Sequence, residues 1–405
     1  MRRIGIVALA LMSTVTLAQD GNTSWAQWRG PRRDGTSTTA PATNWPAALT
    51  KRWEIAVGAG HSSPVVAGEL VVIHARQGDR EITRAIALST GKELWRDEYA
   101  APYTVNPAAR AHGPGPKSTP VIAGGRVFTF GISGILSGLD LKSGKLLWRT
   151  PAASVPPEFG TAMSPLVEGP LVIAHMGGAT DGALTAFDAA KGAARWRWTG
   201  DGPAYASPVV ATIGGTRHVI TQTQKSIVSV NAATGALLWQ APFTTPYAQN
   251  SVTPALRGDL VIYSGLDQGV TAVRLVQKGS QWTAAPAWKN DQVSMYMSSP
   301  VISGTTLYGF SHRNRGQLFA LDSATGKTLW TTDGRQGENA SLIAAASFLL
   351  IATTNGELVV ARANPAKFEE VRRYKIADSA VWAHLALAPR ALLVKDVDKL
   401  ICWSL

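Results

Sequence analysis

The 405-residue chain has a single cysteine, Cys402. That excludes an internal disulfide, so stability must come from packing. Cys402 lies in the apolar run LICW, which places it as a buried thiol. Beyond the first twenty residues, no apolar run reaches the roughly 20 residues that span a bilayer, so no transmembrane segment is expected. A Lys/Arg block interleaved with aromatics is also missing. The formal charge of +12 is spread along the chain, which excludes nucleic acid as an expected partner and reads as dispersed surface charge. No Ser-His-Asp arrangement, P-loop or Rossmann glycine pattern stands in a credible context. No H-x-x-x-H pair and no contiguous Asp/Asn-rich loop marks a metal site. Helical periodicity of apolar residues is absent from most of the chain.

The first stretch, MRRIGIVALALMSTVTLAQD, has the order of a secretory signal. Arg2 and Arg3 are followed by an apolar run from Ile4 to Leu11 and then by small residues, with cleavage expected after Ala18. An uncleaved membrane anchor is the other reading, but the run is too short to span a bilayer. No Cys follows it, so a lipid anchor on cysteine is not expected. The chain reads as exported, periplasmic or secreted, of bacterial type. Residues 19–50 form an extension with Trp25, Trp28, Trp45 and the string WRGPRRDG. Its Gly and Pro argue against regular structure. It is expected to lie across the face or side of the following domain, anchored by its Trp residues, or else to act as a tether.

From residue 51 onward the chain repeats. In five units a Gly precedes a Trp by four: Gly91/Trp95, Gly144/Trp148, Gly192/Trp196, Gly235/Trp239 and Gly326/Trp330. A second marker, a small residue followed by Pro and an apolar run, precedes each unit: SSPVV, STPVI, MSPLV, ASPVV, VTPAL and SSPVI. A degenerate unit ends at Trp288, another at Tyr374, and a last one starts near His384. The orphan strand KRWEIAV (51–57) supplies Trp53. The terminal aromatics then step by about 46 residues, the period of a four-stranded unit. Segments such as VVIHA, RVFTFG and LVIAHM alternate as strands between Gly- and Asp-rich turns. Asp140, Asp188, Asn231 and Asp322 stand where a side chain bonds backbone across a turn.

Such units stack around an axis as an all-β propeller. The count is eight blades, or seven if the terminal units are misread. The Trp residues are expected to wedge between neighbouring blades. The N-terminal strand completes the last blade and removes an edge that would otherwise pair with other chains. Residues 51–405 are therefore one β-propeller, which can stand alone as a monomer.

The repeat resembles the PQQ-like repeat of quinoprotein dehydrogenases and of the propeller lipoprotein of the outer-membrane assembly machinery. The closer resemblance is to exported PQQ-binding-like β-propeller repeat proteins. It rests on WAQWRGPRRDGTS (25–37), GPGPKSTP (113–120), AYASPVVATIGG (204–215) and SMYMSSP (294–300).

In a propeller, the loop leading into each inner strand and the loop between second and third strands open on the same end. The first kind carries His61, His112, Lys117, Glu158, Tyr205, Asn250, Tyr296, Glu338, Asn339, Trp382 and His384. The second kind carries Arg76, Gln222, Asp267, His312 and Arg315. These residues are expected to ring one mouth of the central channel, because binding groups concentrate on loops held by a rigid scaffold. Each taken alone reads equally as solvated rim. His61, His112, His312 and His384 could converge on a metal, and Glu158, Asn250, Asp267 and Glu338 could offer oxygens to Ca²⁺.

Three functions follow. One is a scaffold binding an envelope protein or a small ligand, as the resemblance to the assembly propeller implies. The second is a quinoprotein-type dehydrogenase with PQQ and Ca²⁺ on the axis. The resemblance implies that reading, yet the chain lacks the adjacent Cys pair and the haem motif such enzymes often carry. The third is a glycan-binding face built on Tyr205, Tyr296 and Trp382.

Overall fold

A computed structural model describes residues 25–37 and 44–405. The leader expected at 1–18 lies outside the described residues. Eight sheets, each with four antiparallel strands, form the propeller. The first blade runs from Val65–Ala67 to Glu93–Ala100, the second from Val121–Ala123 to Leu146–Arg149, and the third from Leu166–Glu168 to Ala194–Trp198. The fourth spans Val209–Ile213 to Leu237–Pro242, and the fifth Ala255–Arg257 to Gln281–Asn290. The sixth spans Val301–Ser303 to Thr328–Thr331, and the seventh Ala340–Ala345 to Glu370–Lys375. The eighth holds Ala386–Ala388, Ala391–Lys395 and Lys399–Ser404 and is closed by Thr50–Ala56. That closing strand pairs antiparallel with Lys399–Ser404, with Trp53 opposite Cys402. The ring therefore closes with eight blades, as the repeat count predicts. Cys402 is fully buried.

The spacing of Gly and Trp has a packing cause. Each Gly docks not on its own Trp but on the Trp of the preceding blade. A Cβ added at Gly91 would lie 2.8 Å from the ring of Trp53, and one at Gly144 2.4 Å from Trp95. Gly192 meets Trp148, Gly235 meets Trp196 and Gly326 meets Trp288 in the same way. The turn also needs φ near +70° at this position, a region that glycine enters at no steric cost. Indole N–H groups then donate across the blade boundary: Trp95 to the Leu141 carbonyl at 2.9 Å and Trp330 to that of Asn364 at 2.9 Å. Asp140, Asp188, Asn231 and Asp322 accept backbone N–H bonds in the same turns.

Gly144→Ala is therefore expected to lower stability by about 2–3 kcal/mol, a backbone cost plus overpacking. Gly125→Ala is the matched control. Its φ is also +70°, but nothing lies within 4 Å of the added methyl. It should cost only about 1 kcal/mol. Urea midpoints of the two variants check the difference.

The Ser/Thr-Pro marker has a second cause. The backbone N–H of this Ser or Thr donates to the hydroxyl of its counterpart in the next blade. Ser63 donates to Thr119 at 3.1 Å, Thr119 to Ser164 at 3.0 Å, Ser164 to Ser207 at 2.9 Å and Thr253 to Ser299 at 3.0 Å. His384 N–H donates to Ser63 at 2.8 Å and carries the girdle across the closure. These bonds satisfy N–H groups that no sheet ladder reaches.

Candidate functional site

The central channel is filled by the chain's own N-terminal segment. Residues 25–37 lie inside it, a correction to the expectation that the extension crosses the outside of the propeller. A turning segment rich in Trp and Arg suits a channel walled by innermost strands, because the free backbone edges of those strands offer it partners. Every blade makes a contact. Val66 N–H donates to the Trp25 carbonyl at 2.9 Å, and Ile122 N–H to that of Ala26 at 2.8 Å. Arg33 donates to the carbonyls of Ser164, Pro165 and Pro208 at 2.8–2.9 Å. Trp28 Nε1 donates to Thr253 Oγ1 at 3.1 Å, and Arg29 donates to the Pro300 carbonyl. Thr36–Ser37 pairs in parallel with Ala344 and Ala345 of the seventh blade. The Trp28 ring meets His384 of the eighth edge-on, with centroids 4.4 Å apart.

Both arginines are 1% exposed. Burial pulls the Arg33 guanidinium down to about 9, helped by the charge of Arg29. Burial lowers Arg29 to about 10, opposed by Asp34. Three carbonyl dipoles replace water around Arg33, which makes its burial tolerable.

Above this plug, the mouth gathers its predicted residues into two sectors. In one, His61, His112 and Trp382 pack edge to face, with His112 4.7 Å from Trp382 and 5.4 Å from His61. Burial, with the charges of His112 and Lys117 beside it, depresses His61 to about 3. Lys117 donates to the Phe159 carbonyl at 2.6 Å, and burial lowers it to about 8. The other sector is an open pocket of about 370 Å³ lined by Tyr296, His312, Arg315, Gly337 and Glu338. His312 places Nδ1 2.9 Å from the Ser294 carbonyl and Nε2 2.9 Å from Asp267 Oδ1. Both ring nitrogens thus lie within hydrogen-bond distance of an oxygen, which fixes the orientation of the ring. Asp267, Asn314 and Arg315 all have φ between 55° and 62°, conformations that tend to cluster at functional sites. Tyr296 donates to Gln249. Glu338 acts on both sectors: its charge raises Tyr296 alongside burial and opposes the burial that lowers His112.

Tyr205 accepts from Phe159 N–H at 3.3 Å, and Glu158 accepts from Asn106 at 3.3 Å. The remaining predicted residues do not face the mouth. Arg76 donates to the carbonyls of Gly78 and Ala101, and Gln222 to those of Val252 and Ser264. Asn250 is fully buried and donates to the Thr223 carbonyl at 2.6 Å. Asn339 accepts from the Ser298 hydroxyl. His384 is buried beneath Trp28.

Residues 78–332 match the family model of outer membrane protein assembly factor BamB. The chain belongs to this family. It is 26% identical over 291 residues to BamB of Xanthomonas campestris, covering 69% of this chain and 66% of that protein. It is 24% identical over 222 residues to BamB of Yersinia pestis, covering 52% and 55%. The matches thus span less than two thirds of these relatives' length. Among solved structures, BamB from Moraxella catarrhalis superposes with a TM-score of 0.63 at 16% identity, covering 89% of this chain and 98% of that one. A europium-containing methanol dehydrogenase gives 0.67 at 12% identity, covering 95% and 99%. The quinohemoprotein alcohol dehydrogenase from Comamonas testosteroni gives 0.67 at 14%, covering 96% and 81%. These structural likenesses are of fold.

A quinone with Ca²⁺ does not fit the axis of this BamB-family chain. Trp25, Trp28, Arg29 and Arg33 occupy it, and its buried charges are cationic. Among the described residues no group of three or more His, Cys, Asp or Glu is placed to hold a metal ion. Asn250 is committed to backbone and Asp267 to His312.

Two polar features escaped the sequence reading. The plug itself could have been found from three arginines and two tryptophans gathered in a Gly/Pro segment. The other is a buried cluster between the first two blades. There Glu81 accepts from Tyr99 at 2.5 Å and from Ile132 N–H at 2.8 Å, with His74 Nε2 at 3.5 Å. Its members become neighbours only when strands and blades pair.

Proposed function

We propose that this chain is a binding scaffold of the cell envelope serving outer-membrane protein assembly, with the mouth as its docking face for a partner protein. The observation that carries this reading is the sealed axis. Filling the channel with Trp25–Ser37 leaves a broad, shallow rim rather than a deep enclosed cavity, and small molecules favour enclosed sites. Membership of the BamB family supports the same reading. No described helix is long and apolar enough to cross a membrane.

The test places a photo-crosslinking amino acid at Tyr296, and at Lys142 on the opposite face as control, and adds envelope extract. A crosslinked assembly component is expected at Tyr296 alone. Arg315→Glu should weaken its capture roughly tenfold, as reversing a rim charge does. Equal crosslinking from both faces would remove the mouth from the argument. Saturable binding of PQQ with Ca²⁺, with substrate-dependent dye reduction, would replace the scaffold reading by an enzyme.

A further inference from the structure

We propose that the axial channel is a peptide-binding site, and that residues 25–37 are its resident, separable occupant. This does not rest on the scaffold reading, since the channel and the mouth use different residues.

The wall is complete without the segment. Each blade has its four strands, Thr50–Ala56 closes the ring, and the Ser/Thr girdle ties blades to one another by bonds that do not pass through the segment. Removing the segment would expose backbone carbonyls, which water can satisfy.

The contacts are those of a docked peptide. Trp25 makes one isolated bridge and Thr36–Ser37 a two-residue parallel pairing. This is strand addition to a sheet edge, in which main-chain bonds give affinity and a few side chains give specificity. Arg33 supplies the specificity. Its Nε, Nη1 and Nη2 reach three carbonyls of two adjacent blades. Those carbonyls belong to Pro208, Pro165 and Ser164, so the repeat marker also builds the guanidinium socket. Arg29 is less well matched: its Nε and Nη1 are buried without partners. Trp25 closes over Gly30, where an added Cβ would lie 2.8 Å from the indole, so the occupant's bend requires glycine. The site thus takes a short peptide with an arginine preceded by a glycine-containing turn and a tryptophan.

The test uses the full chain with a protease recognition sequence inserted within 38–43. The folded protein is cut, then incubated with excess labelled peptide of sequence 25–37. One label per propeller is expected to exchange in while the blades keep their melting temperature. A peptide carrying Arg33→Ala should compete roughly 100-fold less well, the loss of charge-assisted bonds. Release of the resident fragment only within the transition that unfolds the blades would make it part of the core and overturn the proposal. Equal competition by the Arg33→Ala peptide would do the same. Hydrogen exchange of the uncut chain gives an independent reading. Arg33→Ala should strip protection from residues 25–37 with melting unchanged. A parallel fall in melting would count against separability.

Discussion

Acidifying the protein from about pH 7 to about pH 5 should cost it several kcal/mol of stability, well above the range where carboxylates titrate. Three histidines with strongly lowered values dominate the loss, and His112 and His218 shift in the same direction. Burial holds His175 at about 4, against 6.5 for an unhindered ring, with the Asp201 carbonyl opposing the shift. His61 stands at about 3, and burial, with Arg29 adding to it, drives His384 well below 6.5. In the unfolded chain these rings take up protons as the pH falls through 6.5; in the folded chain they stay neutral to much lower pH. The unfolded state therefore binds more protons in that window, and stability falls as pH falls. Each ring contributes a slope of about 1.4 kcal/mol per pH unit. Urea midpoints at constant ionic strength measure the sum. His175→Gln keeps a donor for the Asp201 carbonyl and removes one titration, so its slope should be shallower by about one proton. Stability that is flat between pH 7 and pH 5 would refute the account.

Glu81→Ala should be the most damaging single substitution among the buried polar groups, at about 3–5 kcal/mol. The Glu81 side chain is fully buried and joins two blades. Burial alone would raise its carboxyl. The bonds from His74, the Ile132 N–H and Tyr99 more than offset this and leave it below the usual value. By sign, this contribution is complete above the unfolded carboxyl value of 4.5 and is lost as pH falls through the lower folded value. It therefore begins below the onset of the histidine loss and adds to it as the pH falls below 4.5. Space at Gly131 is part of the joint, because a Cβ there would lie 2.0 Å from Glu81 Oε2. Arg149 stacks on Tyr99 at 4.2 Å and pairs with Asp97, which continues the network to the outer strands. Truncation leaves the Ile132 N–H, the Tyr99 hydroxyl and His74 without an acceptor. Glu81→Gln keeps one acceptor and should cost about 1–3 kcal/mol. Chemical denaturation of both variants decides the matter. A loss under about 1 kcal/mol for Glu81→Ala would show that the joint bears little of the fold.

The blades were legible because their determinants repeat. A glycine meets the Trp of the preceding blade at five boundaries, as Gly144 meets Trp95, so the same spacing recurs and marks the architecture before any strand is assigned. The Ser/Thr-Pro marker was equally visible, although its bond to the next blade was not. Orientation within loops was less legible. Asn250 and Gln222 have the composition of a ligand-binding rim, yet backbone carbonyls lie within their reach and take their amides first. A side chain's chemistry says what it can bond, not which partner is nearest. The plug has no period at all. Its fit depends on backbone carbonyls from Ser164, Pro165, Pro208 and Pro300, and carbonyl directions leave no mark on sequence.

The path of the plug gives the molecule a front and a back. Strand Val65–Ala67 runs away from the mouth, and Trp25 pairs with it antiparallel, so the chain climbs into the channel from the far face. Thr36–Ser37 runs parallel to Ala340–Ala345 and descends the same way. The segment therefore enters and leaves the channel on the face opposite the rim of Tyr296, His312 and Arg315.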